Sequence, residues 1–161
     1  MALIHSILMG AVAGMRAMTP LAAVTNAART GQLPADNGAP RLLGNKLASA
    51  AVLALAGGEL AGDKMKSAPD RIVPAGMVAR VGTGVIAGAA LAPYRQRKLG
   101  AVLGAATAVG MAYFTFNLRM RAIARYGQTS TGAVEDAIAV GSAALITQWA
   151  SRSGQGRPAR R

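Results

Sequence analysis

Six side chains of this sequence carry charge inside otherwise apolar stretches: Arg16, Glu59, Asp63, Arg80, Glu135 and Asp136. Glu59 and Asp63 are four residues apart, so on a helix both carboxylates project from one face. In a low-dielectric setting neighbouring carboxylates raise each other's proton affinity, which suits binding and release of protons. The competing reading ends the helix there, with Asp63 at an interface beside Lys64 or Lys66. Arg80 falls in the stripe Gly76, Arg80, Gly84, Gly88. A guanidinium on such a face needs an acceptor, and Glu59 or Asp63 on the preceding segment is the natural one. Its role is then either a structural ion pair or the binding of an anionic substrate.

Arg16 stands just before Ala17-Met18-Thr19-Pro20. Proline removes a backbone donor and breaks the helical ladder, and broken helices in membranes line cavities where loose backbone groups find partners. Thr19, Thr25 and Asn26 are positioned to supply them; the alternative is an interfacial boundary with Arg16 snorkelling to water. Glu135 and Asp136 follow Thr131 and are expected in the first turn of the last helix, where the helix dipole favours acids without any function. The candidate solute or ion site is therefore Arg16, Thr19, Glu59, Asp63, Arg80, Glu135 and Asp136.

The elements that must hold these residues are apolar but short of large side chains. Hydrophobic residues make up 52% and aromatics 4%, and there are 20 glycines. Soluble cores rely on Leu, Ile, Val and Phe, whereas small residues let helices in a bilayer approach closely. Leu99 to Leu118 is uncharged over 20 residues, enough at about 1.5 Å per residue to cross roughly 30 Å of hydrocarbon. Four further segments are interrupted: Ala2 to Ala28, Leu47 to Gly62, Ile72 to Ala92 and Ala133 to Ala150. Gly-x-x-x-Gly pairs recur at Gly10/Gly14, Gly58/Gly62, Gly84/Gly88 and Gly100/Gly104, each expected to open a packing groove.

The expected fold is all-α: a polytopic membrane bundle of about five transmembrane segments over residues 1–152, followed by a basic disordered tail at 153–161. A short echo, Gly14-Met15-Arg16-Ala17-Met18-Thr19 against Gly110-Met111-Ala112-Tyr113-Phe114-Thr115, suggests two halves running in opposite directions, the arrangement of an inverted repeat. Five spans put the termini on opposite faces. One face would carry ten bases, from Arg29 to Lys46, Arg95 to Lys98 and the tail, and the other face six; the richer face is expected in the cytoplasm, with the N-terminus outside.

The net charge of +12 reflects scarce acids, with only 15% of residues charged. The bases lie between apolar segments, without the aromatic-interleaved patch or recognisable module of a nucleic-acid binder, so the expected partner is the lipid bilayer and not nucleic acid. Zero Cys and a single His exclude thiolate and multi-histidine metal sites. No nucleophile–base pair or phosphate loop is readable, so neither a cofactor nor an enzymatic activity is expected.

The segments GAVAGMRAMTPLA (Gly10 to Ala22) and GELAGDKM with PDR (Gly58 to Arg71), Arg80 and Val134-Glu135-Asp136 resemble a bacterial membrane family known as domain of unknown function 4126. The likeness runs from about Met9 to Trp149. It implies a small multi-pass inner-membrane protein and brings no activity with it. The functional expectation is transport of a small solute or ion through an intramembrane Arg/carboxylate site. The alternative is a structural protein that assembles homo-oligomers through its glycine faces.

Overall fold

A computed structural model describes residues 3–62 and 74–155. Among them the architecture is entirely helical: α1 (Leu3–Met15), α2 (Met18–Arg29), α3 (Lys46–Gly62), α4 (Pro74–Leu91), α5 (Arg97–Tyr126) and α6 (Gln128–Gln155), with short 3-10 turns at Arg41–Gly44 and Tyr94–Gln96. Asp63 and the Pro69-Asp70-Arg71 turn lie outside the described residues.

The first apolar segment is two helices. It enters the bundle as α1 and heads back as α2, so it does not cross from end to end as expected. Near the start of α1, Ser6 Oγ donates to the Gly88 carbonyl at 2.7 Å, and the His5 ring packs edge-on against Trp149 at 4.6 Å. Beyond α2, Ser151 Oγ donates to the Gln32 carbonyl, Gly38 N–H to Ala92 O and Tyr94 N–H to Asp36 O. Both arms of the V therefore have their outer ends beside the α4–α5 turn and the C-terminal part of α6. The first described residues share that end with the end of α6, which corrects the expectation of termini on opposite faces. Exposed Arg29, Arg41, Lys46, Arg95, Arg97, Lys98 and Arg152 cluster there, and it is called the basic end below.

Glycine decides how closely the inner helices pack. The buried face of α5 is Gly100, Gly104, Ala108 and Ala112, a four-residue period of small side chains. Gly84 and Gly88 of α4 settle on it from one side and Gly10 and Gly14 of α1 from another. A Cβ on Gly84 would lie 2.6 Å from the Gly104 carbonyl, and one on Gly14 at 2.6 Å from the Ala108 carbonyl. Gly58 and Gly62 are different: among the described residues nothing lies within 4 Å of a Cβ at either position. Among the described residues their expected groove receives no helix, because α3 packs mainly on α2.

Because α1 and α5 both start at the basic end and match Gly10 with Gly104 and Gly14 with Ala108, they run side by side in the same direction. The two copies of the Gly-Met-Thr echo are thus parallel, and α5 is continuous where α1 breaks. An inverted repeat does not describe them. The last helix also departs from expectation. It starts at Gln128, directly after Gly127 with φ +82°, so Glu135 and Asp136 sit two turns in and not in the first turn. It runs on through Gln155, past the expected boundary at residue 152.

Small residues inside leave the large apolar ones outside. Leu47 is 81% exposed, Val78 71% and Leu145 68%, and Val102, Phe114 and Leu118 line the outer side of α5. The interior holds Met9, Val24 and Leu91 together with Ser6, Arg16, Thr25 and Ser49, each nearly inaccessible. Two helical stretches, Pro74–Leu91 and Tyr94–Tyr126, are long and apolar enough to cross a membrane. α1 is apolar but has only 13 residues, α3 stops at 17, and α6 carries Glu135, Asp136 and Arg152 among Gln, Ser and Thr.

Candidate functional site

The site forms where α1 gives way to α2. Ending a helix inside a protein orphans carbonyls, and starting the next orphans N–H groups. Side chains drawn from far along the sequence supply partners to members of both sets. Glu59 on α3 places Oε1 2.8 Å from the Ala17 N–H and Oε2 2.8 Å from the Met18 N–H. Its carboxylate therefore grips the amides of Ala17, just ahead of α2, and of Met18, its first residue, at the end where the helix dipole favours negative charge. Arg80 on α4 does the converse, donating from Nε to the Gly14 carbonyl at 3.1 Å at the closing turn of α1.

Arg16 itself sits in the break and is 1% exposed. Its guanidinium is ion-paired with Asp136 of α6. One residue earlier on α6, Glu135 Oε2 accepts from Arg119 Nη1 of α5 at 2.7 Å, with both side chains about nine-tenths buried. Arg80 lies within electrostatic reach of Glu59, Glu135 and Arg16. Five of the expected residues thus meet at one place: Arg16, Glu59, Arg80, Glu135 and Asp136.

Thr19, 6% exposed, stands in the first turn of α2 beside this cluster. The expected hydroxyl support takes a different form. Thr25 Oγ1 donates to the Leu21 and Ala22 carbonyls within its own helix, and Asn26 accepts from Arg29. Pro20 also has a milder role than a breaker, since as the third residue of α2 its missing N–H belongs to the first turn, which has no intrahelical acceptor anyway. The interruption lies earlier, at Arg16 and Ala17.

Arg119 joins the site without having been expected there. In sequence it follows the uncharged stretch and reads as the first base of a loop. α5 continues for seven residues beyond it, to Tyr126, and the tight turn at Gly127 then folds α6 back so that residue 135 lies opposite residue 119. The signal available was that symmetry, since 119 and 135 are equidistant from 127. Among the described residues, no three His, Cys, Asp or Glu side chains are grouped to hold a metal ion.

The chain matches no protein-family model, and no curated protein or solved structure is significantly similar to it. Its function therefore has to be argued from this arrangement.

Proposed function

We propose that this is a multi-pass membrane protein that moves a small solute or ion through the polar cluster at the α1–α2 break. The observation that carries the proposal is the break itself, an interrupted helix deep in the bundle on which three arginines and three carboxylates from five elements converge. Backbone that is not helical is tolerated at membrane depth only where protein or a water-filled cavity satisfies it, and ionisable groups placed there mark solute pathways. The inverted surface supports the membrane setting. With Leu47, Val78, Phe114 and Leu145 outward and Arg16 inward, water is the wrong solvent for the outside and lipid the right one.

On this reading α3, α4, α5 and α6 cross the bilayer, and α1–α2 enters and leaves on the same side. The exposed bases of the basic end favour the cytoplasmic side of a bacterial inner membrane for that end. The resemblance to domain of unknown function 4126 agrees with such a location.

A scaffold that oligomerises through its glycines would have Gly58 and Gly62 alone among the expected pairs, because Gly10, Gly14, Gly84, Gly88, Gly100 and Gly104 are consumed in packing between helices of one chain.

The absence of cysteine makes the test direct. Thr19→Cys and Asp136→Cys are made singly, with Val102→Cys as the outward-facing control, and probed in intact membranes with an impermeant thiol reagent. Labelling at residues 19 and 136 with residue 102 silent is the expected result. Protection of both site positions means that no water reaches the cluster, and the transport reading then fails.

A further inference from the structure

The C-terminal part of α6 carries a groove that lies apart from the polar cluster. Leu145, Ile146, Gln148, Trp149 and Arg152 line it, and its volume is about 340 Å³. These positions recur at helical spacing on one side of α6. Ile146, 8% exposed, forms the floor, while Leu145 and Trp149 stand in the open. The Trp149 ring is steadied from α1 by the edge-on His5 ring.

The character of the groove changes along its length. Leu145 and Ile146 make the inner part, Trp149 follows, and exposed Arg152 closes it at the basic end. Arg152 is seven positions beyond Leu145, about 10 Å along a helix, which falls within one leaflet of a hydrocarbon layer roughly 30 Å thick. An indole, apolar in its body and polar at its N–H, suits the boundary between that layer and water. The shape and polarity match one amphiphile, with a hydrocarbon chain against Leu145, Ile146 and Trp149 and a charged head on Arg152. A free inorganic anion would use Arg152 and leave the apolar length of the groove idle.

The surroundings decide the charge of that head. Arg29, Arg41, Lys46, Arg95, Arg97, Lys98 and Arg152 are exposed at this end, and among the described residues Asp36 is the acid that accompanies them. No acidic side chain follows Asp136 in the sequence, so the rest of α6 offers Arg152 no carboxylate. A zwitterionic head would bring a cation into this field along with its phosphate. An anionic head brings the phosphate alone, and the planar donors of a guanidinium fit it.

We infer that the groove binds one anionic phospholipid of the leaflet at the basic end, its phosphate on Arg152 and an acyl chain along Trp149, Ile146 and Leu145. The inference rests on the membrane setting proposed above and is independent of transport.

Trp149 is the sole tryptophan of the sequence, so its fluorescence reports the groove directly. The full chain is reconstituted in phosphatidylcholine vesicles in which a fixed fraction of the lipid is replaced by a phospholipid brominated in its acyl chains, either phosphatidylglycerol or phosphatidylcholine. Bromine quenches an indole that it touches. Brominated phosphatidylglycerol is expected to quench as though bound about fivefold more tightly than its zwitterionic counterpart. Arg152→Gln, a change to an exposed side chain, is expected to bring the two level. Arg95→Gln removes a base of the same end that does not line the groove and is expected to keep the preference. Quenching by phosphatidylglycerol no stronger than by phosphatidylcholine in the unaltered protein overturns the inference and leaves the membrane setting standing. The same holds for a preference that survives Arg152→Gln or falls equally with Arg95→Gln, since either reports the surface charge of the whole end. Quenching by neither lipid overturns both, because Trp149 then does not meet the bilayer.

Discussion

Glu59 and Arg80 hold the two facing ends of a single interruption: the carboxylate of one takes the N–H groups of Ala17 and Met18 where α2 begins, and the guanidinium of the other takes the Gly14 carbonyl near the end of α1. Neither is near the break in sequence, being 42 and 66 positions from the groups they serve. The V of α1 and α2 is thus fastened at its apex by two other helices.

Shortening or neutralising Glu59 loosens that apex. Glu59→Gln keeps one acceptor oxygen but loses the charge at the helix start, for an expected cost of about 1–2 kcal/mol. Glu59→Ala leaves two inward-facing amides without their acceptor and is expected to cost more, about 2–4 kcal/mol. Thermal unfolding in detergent reads the order, unaltered above Gln above Ala. Equal melting temperatures for all three would mean that the carboxylate does not hold the turn.

The glycines divide into two groups with opposite tolerance. Gly84→Leu drives a side chain into the Gly104 carbonyl across the α4–α5 crossing, and backbone cannot retreat there as a flexible side chain would. Loss of a monodisperse species in size-exclusion chromatography is expected, an effect of more than about 3 kcal/mol. Gly58→Leu meets open space and is expected to leave the elution profile and yield unchanged. A larger effect at residue 58 than at residue 84 would contradict the packing described here.

Reporters attached ahead of Leu3 and after Gln155 are expected on the same side of the membrane, since both ends of the described chain lie at the basic end. A reporter active only in the cytoplasm, fused at either position, is expected to be active in both. Activity at one end alone would show that the first segment crosses the bilayer, as a plain reading of its hydropathy suggests.

What the sequence made legible follows from how local each feature is. The bounds of α4 are nearly those of Ile72 to Ala92, and α5 starts within two residues of Leu99, because apolar runs between proline- or base-rich turns are local signals. The glycine pairs on α1, α4 and α5 were equally readable, since a four-residue spacing defines a face wherever the helix lies. The break was foreseen one turn away from where it occurs. Pro20 marks it in sequence, but its site is set by Glu59 and Arg80, whose reach depends on the tertiary fold. Arg119 was missed because the end of an apolar run was taken as the end of the helix. The start of α6 was missed because the apolar run opens only at Ala133, while the positive φ of Gly127 lets the helix begin at Gln128. For Gly58 and Gly62, the motif specified a face and the fold left that face uncovered.

The hairpin made by α1 and α2 also bears on the order in which the molecule is assembled. Arg16 emerges from the ribosome long before Glu59, Arg80 and Asp136, the residues that will enclose it. A segment destined to cross the bilayer would have to carry that guanidinium through hydrocarbon unaccompanied. In the proposed topology, one that begins and ends at the basic end can wait at the surface where it was made, and slide inward once α3 to α6 have built the pocket, so that its charge enters together with its counterions.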